Sequence, residues 1–408
     1  MGFAVGTPFR ERAPDLDGHD PAALVDAARV AAEGVTFGDG PFHLDPVPRV
    51  ISADDWSALE AGLLQRVRAL DAFCADVYGE RRIVADGVVP ARVVETIDTL
   101  EPALRGSMLD RWVGIAGLDV VRAPDGRFLV LEDNLRTPSG MAYAVAARVT
   151  TLMLLQPEHQ PVPVDGLRDM LRLALGDGRA AVLTDGPSNA AYWEHKTLAE
   201  LLEIPLLEPS GFDPSAFDVV YRRTDGWQLD SSVGRLLHGH VRIVNAYGVG
   251  VGDDKLAHAY VEAMVRYYLG EEPLLDSVRT YDLGRPEIAS EVLDRIDELV
   301  IKPRAGYGGE GVVICPHAEP EDVARIRDEV RATPEDYVAQ ELIPLSEHPT
   351  AIDGALVDRH VDLRPFVFLG PDGSGRVFPG GLTRVALDEG ALVVNSSQNG
   401  GAKDTWVL

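Results

Sequence analysis

The sequence predicts an α/β protein, and three stretches carry that reading. Short apolar strands alternate with helical segments over residues 178–250. The segment "GIAGLDVVRAPDGRFLVLEDN" reads as strand, turn, strand, and "ELVIKPRAGYGGEGVVIC" as strand, glycine loop, strand.

In the first stretch, "AAVLTDG", "AAYWEHKTLAELLE", "IPLLE", "FDVVYRR" and "VRIVN" follow one another as the parts of a small parallel α/β unit. Its ligand position would be the loop and helix start after the first strand, where Ser188, Asn189, Tyr192, Glu194 and His195 fall. In the second, Ala123-Pro124-Asp125-Gly126 is a turn signal between two strands. A turn over 123–126 would put residue 119 opposite about residue 130, so that Asp119, Glu132 and Asn134 share a face. In the third, Gly306, Gly308 and Gly311 have dinucleotide-turn spacing, but Val312, Val313 and Ile314 favour a second strand over the helix such a turn requires. The unit therefore reads as a flap able to cover phosphates, with Lys302 at its entry; a hairpin without a ligand is the competing reading.

The other elements follow in order. "PAALVDAARVAAEG" reads as a helix ending at Gly34. "SADDWSALEAGLLQRVRALDAFCADVYG" reads as a core-facing helix with Ser52 as N-cap. "DDKLAHAYVEAMVRYYL" reads as one amphipathic helix, 319–332 as a polar helix and "DYVAQELI" as an apolar strand. The chain closes with strands in "HVDLRPFVFLG", "GRVFPGGLTRVAL" and "ALVVNSSQNGGAKDTWVL".

The chain has 408 residues, 46% of them hydrophobic, enough for two or three packed domains. Its formal charge of 38 − 65 = −27 argues against non-specific binding to nucleic acid or an anionic membrane. The two cysteines, Cys74 and Cys315, have no metal-ligand spacing; with no apolar run of membrane-spanning length, a cytoplasmic protein is expected.

Three groups of residues point to chemistry. Asp119, Glu132 and Asn134 form a hard-oxygen set suited to Mg²⁺, unless they are solvated strand ends; Asn134 runs into "LRTPSG", which sets Arg136, Ser139 and Gly140 beside the same edge. Lys255, after "YGVGVGDD", and Lys302 would supply two point charges to a triphosphate, unless they are ordinary solvated lysines. Arg364, Arg384 and Lys403 sit in apolar or glycine contexts and could stabilise developing negative charge, with structural ion pairs as the alternative. Histidines at 238 and 240 lack a third transition-metal ligand at sensible spacing.

"FHLDPVPRVI", "VLEDNLRTPSG", "RHVDLRPFVFLG", "GGLTRVAL" and "KDTWVL", with Glu132-x-Asn134 preceding Lys255, Lys302 and "VAQELI", resemble the bacterial circularly permuted ATP-grasp family, whose relatives include glutathionylspermidine and glutathione synthetase-like ligases. The resemblance implies a circularly permuted ATP-grasp fold with a small parallel α/β substrate-side domain. Its expected division is 1–177 for N-terminal helices and the permuted Mg²⁺-binding part, 178–250 for the substrate domain, 251–345 for flap and hinge, and 346–408 for the return to the core. It implies ATP and Mg²⁺ as cofactors and small-molecule carboxylate and amine substrates joined through an acyl phosphate. A kinase stopping at phosphoryl transfer and a non-catalytic nucleotide-binding partner are the alternatives, and a homo-oligomer is compatible with either. By the resemblance, Lys255 and Lys302 contact phosphates beneath Gly306, Gly308, Gly309 and Gly311. Gln340 and Glu341 form the adenine hinge; Asp119, Glu132 and Asn134 hold Mg²⁺; Arg364, Arg384, Arg136 and Lys403 serve catalysis. The flap "RAGYGGEG" and tail "QNGGAKD" depart from the family's more usual "DGSGGYG" and "QGGGSKD".

Overall fold

A computed structural model describes residues 7–226, 228–306, 310–392, 394 and 400–408. Three sheets organise the chain around the expected hairpin. Strands Ile115–Arg122 and Phe128–Asn134 pair antiparallel across a turn in which Gly126 takes φ +85° and donates its N–H to the Ala123 carbonyl at 2.8 Å. This hairpin lies within a ten-stranded sheet, beside Ala355–Arg364 and Phe366–Leu369, which are separated at Pro365. Proline has no N–H to give a ladder, so the strand breaks there. The sheet continues through Leu382–Val385 and Gly401–Val407 to Leu44–Ile51, which pairs parallel with Gly401–Val407.

Helix Ala53–Tyr78 begins as expected, with the Ser52 hydroxyl accepting from the Asp55 N–H at 3.2 Å. It buries Trp56, Leu59, Leu63, Val67, Leu70 and Phe73 in the main core. The parallel unit is present as four strands, ordered Leu206–Leu207, Ala180–Thr184, Val219–Arg223 and Arg242–Val244. A separate antiparallel sheet joins Thr280–Asp282, Tyr337–Glu341, Leu299–Pro303 and Val313–Ile314, covered by helices Pro286–Asp294 and Pro320–Ala332. Val300 pairs with Ile314 and Ile301 with Val313, so the glycine loop joins two antiparallel strands and opens no helix.

Two expectations are corrected. The helix expected over 253–269 is divided into Lys255–His258, Val261–Met264 and a π-helical turn at Val265–Leu269. The Ala259 and Tyr260 amides bond back to Leu256 and Ala257, ending the first segment early, and the Tyr260 hydroxyl donates to Asp282 at 2.5 Å. In the hairpin, Asp119 faces Glu132 while Val120 faces Val130. Leu131 is the extra residue of a β-bulge, which shifts the register from that expected. No helix among the described residues is long and apolar enough to cross a membrane.

Candidate active site

Between the hairpin face of the large sheet and the flap sheet lies a cleft of about 350 Å³. The bulge turns both Leu131 and Glu132 toward it, next to Asp119 and Asn134. Arg364, Asp362 and Arg384 enter from the neighbouring strands, and Lys302, Lys255, Gln340 and Glu341 from the flap side. Val300, Val312, Ile314, Leu342, Ile343 and Leu345 make one region of the cleft apolar. An apolar slot beside a hinge strand suits a flat heterocycle, and a polar floor of opposed charges suits phosphates and a cation.

The electrostatics of the floor are specific. Arg364 grips Asp119 with both arms, Nε to Oδ1 at 2.7 Å and Nη2 to Oδ2 at 2.9 Å. Arg384 reaches Asp119 Oδ2 at 3.0 Å and is itself forked onto Asp362, with Nε to Oδ1 at 2.8 Å. Burial alone would raise the Asp119 carboxyl; the two guanidiniums more than offset this and hold it at about 2. For Asp362 burial wins over Arg384, and its carboxyl is pushed up. Lys302 shows the converse: burial lowers its ammonium and Lys255 adds repulsion, while Glu132 and Asp119 only partly compensate. Lys255 Nζ donates to the Gly306 carbonyl at 2.8 Å, tying the start of the flap to the residue expected beneath it.

The donor set fits Mg²⁺. Two carboxylates and an amide lie on one face, and the Glu132 carboxylate makes no hydrogen bond or ion pair with another described residue. Among the described residues no three His, Cys, Asp or Glu side chains form a metal cage. Mg²⁺ does not need one, because it takes much of its octahedron from water and phosphate.

Other expected site residues lie elsewhere. Lys403 is corrected: it is fully buried and bonded to Asp45, with the Pro349 carbonyl at 3.2 Å, and it does not line the cleft. Its side chain points away because it pins the strand Leu44–Ile51 to its parallel neighbour. Arg136 donates to Asp253 Oδ2 from Nε at 2.6 Å and from its backbone amide at 3.3 Å, and borders a small recess under Lys255 and Gly306.

On the substrate side, Glu194 is fully buried and accepts from the Gly140 and Ala142 amides at 2.9 and 3.0 Å and from Arg223 at 3.1 Å. Ser139 is bonded to Arg223. Gly140, at φ +133°, has no room for a side chain, because a Cβ would stand 2.8 Å from Phe366. His195 is 1% exposed, bonded to Thr184 Oγ1 at 2.9 Å, and held neutral by burial and Arg223 down to about 2. Glu194 and Ser139, with Arg223, tie the substrate-side sheet to the turn after the hairpin, while His195 is bonded within its own unit. Ser188 is exposed, and Asn189 and Tyr192 are half-buried. Gly308 and Gly309, with Tyr307, lie outside the described residues.

Two features escaped the sequence reading. Asp362 lines the cleft two residues from Arg364, and an acid alternating with an arginine inside an apolar strand was the available signal. Behind the hairpin, Arg66 forks onto Asp133 at 2.7 Å through Nε and Nη2, and His258 Nδ1 meets the same carboxylate at 2.7 Å. This buried network fixes the residue between Glu132 and Asn134.

Fold and cleft together define a protein of the ATP-grasp type, with two sheets closing on a site that mixes carboxylates, lysines and an apolar hinge. The sequence profile of the circularly permuted ATP-grasp type 2 family matches residues 48–386, and the chain belongs to that family. It is 47% identical over 406 residues to a Frankia casuarinae protein named "Putative glutamate--cysteine ligase 2-2", covering 90% of this chain and 47% of that one. It is 42% identical over 420 residues to an uncharacterized Mycobacterium tuberculosis protein, covering 92% of this chain and 76% of that one. The chain thus spans about half the length of the Frankia relative. A glutathione synthetase-like effector from Globodera pallida, solved in the apo form, superposes with a TM-score of 0.63 at 11% identity, covering 96% of this chain and 98% of that one; the likeness is one of fold.

Proposed function

We propose that this protein is an ATP-dependent carboxylate–amine ligase that works through an acyl phosphate. The observation that carries the reading is the cleft in which Asp119, Glu132 and Asn134 face Lys255 and Lys302 beside an apolar hinge. Lys302 and Lys255 would bind the triphosphate, and the backbone of the hinge strand at Gln340–Glu341 would receive the adenine. Asp119, Glu132 and Asn134 would hold Mg²⁺, which supplies charge neutralisation on the phosphate oxygens.

A substrate carboxylate oxygen attacks the γ-phosphorus and ADP leaves. An amine nitrogen then attacks the acyl carbon, and inorganic phosphate leaves as the amide forms. Arg384 and Arg364, which line the cleft, would offset negative charge on the phosphoryl group and the tetrahedral intermediate. The loop after Thr184, with Ser188 and Asn189, is assigned to the substrate side. The relatives' printed names make L-glutamate the first acid to try and L-cysteine the first amine.

The test is ADP release with Mg·ATP, L-glutamate and a panel of amines beginning with L-cysteine, followed by mass spectrometry. An amide formed in step with ADP is the expected result, abolished in Glu132→Ala. A stable phosphorylated acid without amide would assign the kinase instead, and no ADP with any acid–amine pair would leave only nucleotide binding.

A further inference from the structure

Asp119 is asked to do two things at once. On the proposed reading it is a Mg²⁺ ligand, yet Arg364 donates an N–H bond to each of its oxygens, at 2.7 and 2.9 Å. A carboxylate already forked by a guanidinium has little donor capacity left for a cation, and the cation and the guanidinium repel one another. Loading the metal site therefore has to loosen Arg364.

The two arginines differ in what remains to them. Arg384 keeps a second carboxylate, Asp362, with Nε to Oδ1 at 2.8 Å and a further bond from Nη2, whatever happens at Asp119. Arg364 has no second acid within ion-pair distance: Asp119 is its one such partner among the described residues, and Asp362 attracts it only through space. Its side chain is also the more exposed, 20% against 7% for Arg384, so it has room to turn into the cleft.

We infer that Arg364 is a metal-released clamp. It is stored on Asp119 when the site is empty and freed, as a bidentate donor for the carboxylate or phosphoryl group of the acid substrate, when a divalent cation takes Asp119. Arg384, anchored by Asp362, is a fixed charge throughout. The consequence is an order of assembly: the anion clamp is available only after metal and nucleotide are in place, so an acid arriving first finds it occupied. This rests on the Mg·ATP reading above and adds to it a specific exchange of partners.

The exchange can be read without turnover, from arginine side-chain Nε–H signals of ¹⁵N-labelled protein, with Arg364→Lys and Arg384→Lys used for assignment. In the metal-free protein the Nε–H groups of both arginines, each hydrogen-bonded to a carboxylate, should be protected from solvent exchange. Addition of Mg²⁺ with a non-hydrolysable ATP analogue should shift the Arg364 signal and speed its exchange by about tenfold or more, leaving that of Arg384 protected. Asp119→Asn should produce the unprotected Arg364 signal with no metal added. Binding of the analogue is followed separately by its ³¹P shifts: no binding overturns the nucleotide reading itself. Binding with an Arg364 Nε–H that stays protected, or one unprotected from the outset in the wild-type protein, overturns the clamp alone.

Discussion

Lys302→Met separates a residue kept for ligand from one kept for the fold. Lys302 lines the cleft and makes no hydrogen bond or ion pair with another described residue; burial and the nearby Lys255 pull its ammonium down. Its charge therefore costs the empty protein free energy, and methionine, of similar length, removes that charge while keeping most of the packing. A charge-assisted hydrogen bond to a phosphate is worth about 1.5–3 kcal/mol, so its loss should weaken Mg·ATP-analogue binding by about tenfold to about 150-fold. Thermal stability without ligand should stay level or rise. Isothermal titration calorimetry and scanning calorimetry on the same preparation give both numbers. An affinity within twofold of wild type would show that Lys302 does not bind the phosphates, and a midpoint lowered by several degrees would show that it serves the fold.

Lys403→Met should give the opposite pattern. Among the described residues it leaves Asp45 buried with the Val47 and Ala351 amides, at 3.0 and 2.7 Å, and should cost about 3–5 kcal/mol in chemical denaturation with nucleotide affinity of the remaining folded protein unchanged. Acidification should destabilise the protein well above the carboxylate range. His195 and His348 are both held neutral in the fold by burial, His195 down to about 2, so below about pH 6.5 the unfolded chain takes up protons that the native state refuses. Each histidine should then cost about 1.4 kcal/mol per pH unit; urea unfolding at pH 7.5 and 5.5 should show that slope reduced in His195→Gln.

The parts of the site that could be read from the sequence are those where local pattern sets the geometry. The turn 123–126 has its own chemistry, so the hairpin follows from it, but the bulge at Leu131, which no local signal marks, is what sets Glu132 opposite Asp119. The flap follows from β-branched residues after the glycines, and the parallel unit from alternation. What could not be read depends on distant partners. Lys403 and Arg384 both sit in apolar strands, and nothing local distinguishes a lysine that meets Asp45, 358 positions away, from an arginine that meets the cleft. Glu194 and His195 occupy the usual ligand position of a parallel sheet, but Arg223, from the adjacent strand, and the turn at 138–140 close over them. The broken helix at 255–269 keeps its apolar spacing while the Asp282 contact of Tyr260 overrides its continuity.

The pairing pattern in the cleft explains how a chain of net charge −27 could receive a triphosphate. Among the described residues four cationic side chains line the site, but Arg364 and Arg384 are neutralised by Asp119 and Asp362, whereas Lys255 is bonded to a backbone carbonyl and Lys302 has no such bond to a described residue. The positive charge not held in an arginine–carboxylate pair thus resides in the lysines, partly offset at Lys302 by Glu132, and a polyanion entering the cleft would meet them first. Nucleotide affinity should accordingly follow the lysines. The arginines, masked until a cation competes for Asp119, should act on the steps after binding, where negative charge moves from the γ-phosphate to the acyl group. Two kinds of cation at one site are then not redundant: lysine supplies a point charge that is always present, and arginine a directional fork that becomes available only once the metal has arrived.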